Sequence, residues 1–129
     1  MTKQIFINLA VKDLQKSTEF YSALGFTINP RFSDDTAKCM VWNENIYVML
    51  LTHDKFSAFA TKPIADTKSN VAALFSLSFE SIDEVNKVMT SGLDAGGTEP
   101  AELRDYGFMY QRTIEDFDGH TWEIFFMDI

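Results

Sequence analysis

Residues 7–26, INLAVKDLQKSTEFYSALGF, decide the fold because their hydrophobic period changes midway. Up to Val11 the apolar residues alternate, at positions 5, 7, 9 and 11, with Asn8 breaking in between. That is the pattern of a strand with one covered face. Beyond Asp13 the spacing becomes helical: Leu14, Thr18, Tyr21 and Leu24 recur every three or four residues, and Phe20 widens the stripe. Gly25 follows the last turn as a stop signal. A strand leading straight into an amphipathic helix is expected.

Further along, the same order returns. LSFESIDEVNKVMTSGLDAGG (77–97) reads as a strand end and a helix, with Ser81 as N-cap, Glu84 three residues on, and Gly96 and Gly97 at the stop. Each copy leads to a hairpin. In the first, CMVW and IYVMLL flank the turn NEN; in the second, GFMYQRTI and TWEIFF flank EDFDGH. FTINPRF (26–32) adds a short strand before the first hairpin. The copies run over about 4–52 and 72–128 of a single 1–129 domain. A repeat of this kind cannot bury its sheet face alone, so the copies should pack together. The expected fold class is α+β: two βαβββ repeats forming a partly open mixed-sheet barrel, with helices outside and a central cleft. Residues 53–72 sustain neither period and read as a connector with at most a short helix. Its Phe56 and Phe59 are candidates for the core, a pocket mouth or a subunit partner.

Of 129 residues, 46% are hydrophobic and twelve are Phe, enough for a packed core and too apolar for a disordered chain. Nineteen acidic against eleven basic side chains give a net charge of −8, which repels phosphate backbones and anionic lipid. Nucleic acid and membrane are therefore excluded as expected partners, and a neutral or cationic ligand is favoured. Cys39 is the only cysteine, so neither an intrachain disulfide nor a cysteine-based zinc site is expected. The N-terminus meets charge too early for a signal peptide, and no apolar run reaches membrane-spanning length. A cytoplasmic location is expected.

The opening stretch resembles the start of the vicinal oxygen chelate superfamily, which includes glyoxalase I, fosfomycin- and bleomycin-resistance proteins and extradiol dioxygenases. Leu9, Val11, Asp13 and Leu14 match its Leu-x-Val-x-Asp-Leu strand end. Phe20, Tyr21, Leu24, Gly25 and Phe26 match its Phe-Tyr-x-x-Leu-Gly-Phe helix end. DFDGHTWEIF (116–125) is similar to its closing Asp-Pro-Asp-Gly hairpin, with Phe117 in place of the proline. The resemblance implies metal-ligand positions on the first and last strands of each repeat, falling here on Phe6, Leu50, Leu74 and Glu123. Three of the four carry no donor atom, so no metal cofactor is expected, and a divalent ion is disfavoured. His53 and His120 read as connector and turn residues.

By alternation, the face carrying these positions also carries Asn8, Ala10, Ile46, Val48, Ser76, Ser78, Thr121 and Phe125. RDYGFMYQR (104–112) adds Tyr110 and Arg112 beside Glu123. The expected ligand-binding set is Phe6, Asn8, Leu50, Leu74, Ser76, Tyr110, Arg112, Thr121 and Glu123. It would hold a small organic molecule, aromatic or cationic, without metal. Arg112 is the candidate ion-pair partner of Glu123. Alternatively, desolvation favours the protonated acid, and Glu123 serves as acid/base of a glyoxalase-like lyase or isomerase, or as a metal ligand. The resemblance further implies a homodimer.

Overall fold

Asp13 and Gly25 bracket the first helix as the sequence requires. The computed structural model describes residues 2–128, and in it helix α1 runs Leu14–Leu24. The Asp13 side chain accepts the Lys16 amide at 3.1 Å, satisfying one of the donors that a helix start leaves free. Gly25 takes the left-handed conformation, φ +117°, and Phe26 N–H closes the end on Tyr21 C=O. Ser17, Phe20, Tyr21 and Leu24 are the buried face. This stripe packs on a sheet formed by β1 (Ile5–Ala10), β2 (Thr27–Asn29), β3 (Ala37–Asn43) and β4 (Ile46–Leu51), ordered β1-β4-β3-β2. β1 and β4 are parallel, and the other neighbours are antiparallel. Met40, Val48 and Leu50 are fully buried with Phe20 and Tyr21. Full burial of each such side chain stabilises by about 2 kcal/mol. The connector holds one short helix, α2 (His53–Phe59), which packs on β1 and β4.

The second half repeats the plan. β5 (Leu74–Ser78) leads to α3 (Ile82–Asp94), then β6 (Arg104–Asp105), β7 (Met109–Glu115) and β8 (Thr121–Met127), in the order β5-β8-β7-β6. Ser81 caps α3 by accepting the Glu84 amide at 3.1 Å. Val85, Met89 and Gly92 face β7 and β8, whose buried members are Ile114, Trp122 and Ile124. Asp116 Oδ1 accepts the amides of Asp118 and His120 and so folds the β7–β8 turn. Phe117, which stands where the resemblance implies proline, lays its ring on Gly96. A Cβ there would come within 2.3 Å of Phe117 Cζ.

The chain divides into two compact units, the first ending at Asp66 and the second starting at Thr67. Each is one βαβββ copy: a four-stranded mixed sheet with a helix against one face. No helix among the described residues is long and apolar enough to cross a membrane.

The ladder corrects three expected positions, Ile46, Val48 and Leu50. Phe6, Asn8 and Ala10 pair with Tyr47, Met49 and Leu51, so these six side chains share a face. Leu50 lies on the opposite face with Ile46 and Val48, fully buried like Val48 on the α1 side, and none of the three can accompany Phe6. Every residue of IYVMLL is apolar, so alternation leaves its parity undetermined and only the hydrogen-bond register decides it. Val11 N–H reaches Leu51 C=O as Phe79 N–H reaches Phe125 C=O. By that equivalence Phe6, Asn8 and Met49 correspond to Leu74, Ser76 and Glu123.

Candidate functional site

Glu123 is held on the face of the second sheet opposite α3. Ser76 pairs with it on β5 and Thr113 on β7, and the next rung holds Ser78, Phe125 and Gln111. Ser76 Oγ donates to Glu123 Oε1 at 2.6 Å, and Gln111 Nε2 donates to Oε2 at 3.1 Å. Gln111 is almost buried and Glu123 half-buried, while Ser76 is exposed. Leu74, 56% exposed, and Phe125 give this face its apolar part. The carboxylate is therefore oriented by two neutral donors that fix its geometry without cancelling its charge. Lone pairs remain for a ligand. Thr121 shares the face, with its hydroxyl donating back to Gly119 C=O at 3.2 Å.

Arg112 does not pair with Glu123. Arg112 faces Ile124 across the ladder, and its neighbours Gln111 and Thr113 take the Glu123 side. Its guanidinium grips Glu99 through Nε and Nη2 at 2.9 and 2.8 Å, while Nη1 donates to Asn86 of α3 at 3.0 Å. Tyr110 Oη also donates to that Asn86 oxygen. Hydrogen bonding to Glu99 pushes the Arg112 pKa above its ordinary value. Tyr110 and Arg112 thus tie α3 and the following loop to the sheet, on the face away from Glu123. The premise of an isolated, desolvated carboxylate is not met either, because Glu123 is only half-buried and has two donors.

This separates two stability effects. Arg112→Ala should cost about 1–2 kcal/mol, a value reduced for side chains that remain partly exposed. Glu123→Gln should leave the thermal midpoint nearly unchanged. Thermal unfolding of both variants checks this, and equal losses would refute the assignment.

In the first unit, Phe6 and Asn8 also sit on the open face. The Phe6 ring stacks on Tyr47 at 4.4 Å, inclined by 8°, and stays 49% exposed. The Tyr47 hydroxyl donates to Glu44 C=O and accepts from Gln4, which fixes the ring. Cys39 is buried on β3, and burial pushes its thiol pKa up.

A metal finds little here. Positions corresponding to the superfamily's ligands are Phe6, Met49, Leu74 and Glu123, which supply one thioether and one carboxylate. No group of three or more His, Cys, Asp or Glu side chains gathers among the described residues. Such a donor set does not fit Zn²⁺, Ni²⁺ or Fe²⁺. A surface groove of about 730 Å³ is lined by Glu99–Leu103 and Arg112, and it includes neither Glu123 nor its two hydrogen-bond partners.

Gln111 and Thr113 were not anticipated from sequence. Counting outward from the EDFDGH turn finds them: Glu115 faces Thr121, so Thr113 faces Glu123.

Residues 3–41 match the family model for the N-terminal part of bleomycin resistance-like proteins. No curated protein sequence matches the chain. Among solved structures, hypothetical protein SA1046 from S. aureus is 27% identical, with a TM-score of 0.80 over 100% of this chain and 95% of that one. A glyoxalase-related enzyme from Fulvimarina pelagi is 20% identical, with a TM-score of 0.80 over 98% and 88%. A glyoxalase/bleomycin resistance protein/dioxygenase family enzyme from Burkholderia phytofirmans PsJN is 14% identical, with a TM-score of 0.77 over 95% and 96%. Together, the N-terminal match and the shared architecture of two βαβββ units show that this chain has the fold of the glyoxalase/bleomycin resistance structures it resembles.

Proposed function

We propose that the chain binds a small organic molecule, cationic or aromatic, at the open sheet face around Glu123, and does so without a bound metal. The observation that carries this reading is the Ser76–Glu123–Gln111 cluster. A carboxylate fixed by neutral donors, beside exposed Leu74 and half-buried Phe125, offers a negative charge and an apolar surface together. The net charge of −8 favours the same class of ligand.

A second reading rests on the short Ser76–Glu123 bond. A carboxylate oriented in this way can exchange a proton with a bound substrate, as a glyoxalase-like lyase or isomerase would require. The chemistry would then belong to Glu123 alone, with Gln111 and Ser76 setting its orientation.

Amide NMR titration with a library of aromatic amines tests the site. Shifts should concentrate on Ser76, Gln111, Thr113 and Glu123; shifts confined to other strands would refute the assignment. Elemental analysis of protein purified without chelator should find no stoichiometric transition metal. About one Zn, Ni, Fe or Mn per chain, lost in Glu123→Ala, would overturn the metal-free reading.

Association is proposed as well. Phe59 is 71% exposed on α2, and Phe108, Leu74 and Phe6 are each about half exposed. Apolar surface on this scale is safer covered by a second copy. Sedimentation at micromolar concentration should give about twice the 14.7 kDa chain mass. A lone 14.7 kDa species would count against it.

A further inference from the structure

The face that carries Glu123 also carries Arg104. On the two-residue strand β6, Arg104 pairs with Gln111, which pairs with Phe125 on β8. Directly opposed residues in an antiparallel ladder point to the same side, so Arg104 stands on the Glu123 face with Gln111 between them. Arg104 is exposed and has no ion-pair or hydrogen-bond partner among the described residues. Among the described strand residues of that face it is the only cation, on a chain with an excess of acid. An arginine on an edge strand also discourages edge-to-edge pairing. That role explains a charge at the edge, but not its place in one row with Gln111.

Building on the reading of Glu123 as the ligand's anionic contact, we propose that the site selects dipolar molecules: a protonated amine at Glu123 and a carboxylate or similar anion at Arg104. Two strand spacings sideways and one side-chain repeat along the strand separate the two Cα atoms by about 12 Å. The long arginine side chain reaches inward, which suits a ligand with charges roughly 7 Å apart, the span of about six single bonds. Gln111 spends its amide N–H on Glu123, leaving its carbonyl oxygen to face the middle of the ligand. A guanidinium matches a carboxylate through two parallel N–H donors, so the anionic end is recognised by shape as well as charge.

The test uses 6-aminohexanoate as probe, with hexylamine and hexanoate as single-charge controls, measured by calorimetric titration on the full chain. 6-Aminohexanoate should bind about tenfold more tightly than hexylamine, the usual scale of one added charge contact. Arg104→Ala should abolish that preference, and Arg104→Lys should restore part of it. Circular dichroism confirms that the variants fold. Equal affinity for 6-aminohexanoate and hexylamine, or a preference that survives Arg104→Ala, overturns the dipolar inference while the Glu123 site stands. Absence of binding by 6-aminohexanoate at millimolar concentration overturns it too. If aromatic amines then also fail to shift Ser76, Gln111 and Thr113, the reading of the Glu123 site falls with it.

Discussion

Gly119→Ala is expected to lower stability by about 3 kcal/mol, through strain that no side-chain motion can relieve. Gly119 has φ +87°, and a Cβ there would lie 2.3 Å from Thr67 O and 2.9 Å from Lys68 Cα. Both neighbours are backbone atoms. The 67–68 segment is also fastened to the turn, because Thr67 Oγ1 donates to Asp118 C=O. Making room means pulling that segment off the β7–β8 turn, so the cost includes the hydrogen bond as well as the left-handed backbone. Gly107 is the matched control: its φ is +83°, yet nothing lies within 4 Å of the added Cβ. Gly107→Ala should cost only about 1 kcal/mol, the conformational part alone. In thermal unfolding, Gly119→Ala should melt roughly 10 °C below the wild type. Equal midpoints for the two variants would show that contact with Thr67 is unimportant.

Glu123→Gln should have the largest functional effect. The substitution keeps the shape, and both partners can adapt: the Ser76 hydroxyl can rotate to accept, and the Gln111 amide can turn its oxygen inward. Folding is therefore expected to survive. For a cationic ligand, affinity should fall by about 1–2 kcal/mol, below the scale of a fully desolvated charge pair because Glu123 is only half-buried. If the site is catalytic, kcat should drop by roughly 10²–10⁴-fold with little change in KM. Calorimetry or steady-state kinetics reads the outcome on whichever amine the NMR titration identifies. Unchanged affinity and turnover would remove Glu123 from the site.

What could be read from the sequence followed from signals that are local. Gly25 and Ser81 mark helix ends through bonds made close by in the chain, and both act as expected. Ile5–Ala10 alternates, so the side of the sheet taken by Phe6 and Asn8 was legible. IYVMLL does not alternate, and Ile46, Val48 and Leu50 were therefore assigned to the wrong face. Position 112 failed for a different reason. A lone arginine near a lone glutamate suggests a pair, but the true partner, Glu99, lies in the loop after α3 and is brought to Arg112 by tertiary folding. Gln111 was overlooked because an amide attracts no attention until the ladder places it beside a carboxylate. The helix α2 sits between these cases: a short helix was allowed for, but neither its bounds nor its seat on β1 and β4 could be read.

The buried thiol on β3 makes the protein its own timepiece. Cys39 is 2% exposed and its pKa is raised by burial, so an alkylating reagent can reach a reactive thiolate only when the first unit opens. When reclosing outpaces modification, the labelling rate divided by that of an unfolded cysteine gives the opening equilibrium of that half of the chain. Gly119 lies in the other half. Labelling at Cys39 and melting of Gly119→Ala therefore provide one handle in each βαβββ copy of a single polypeptide.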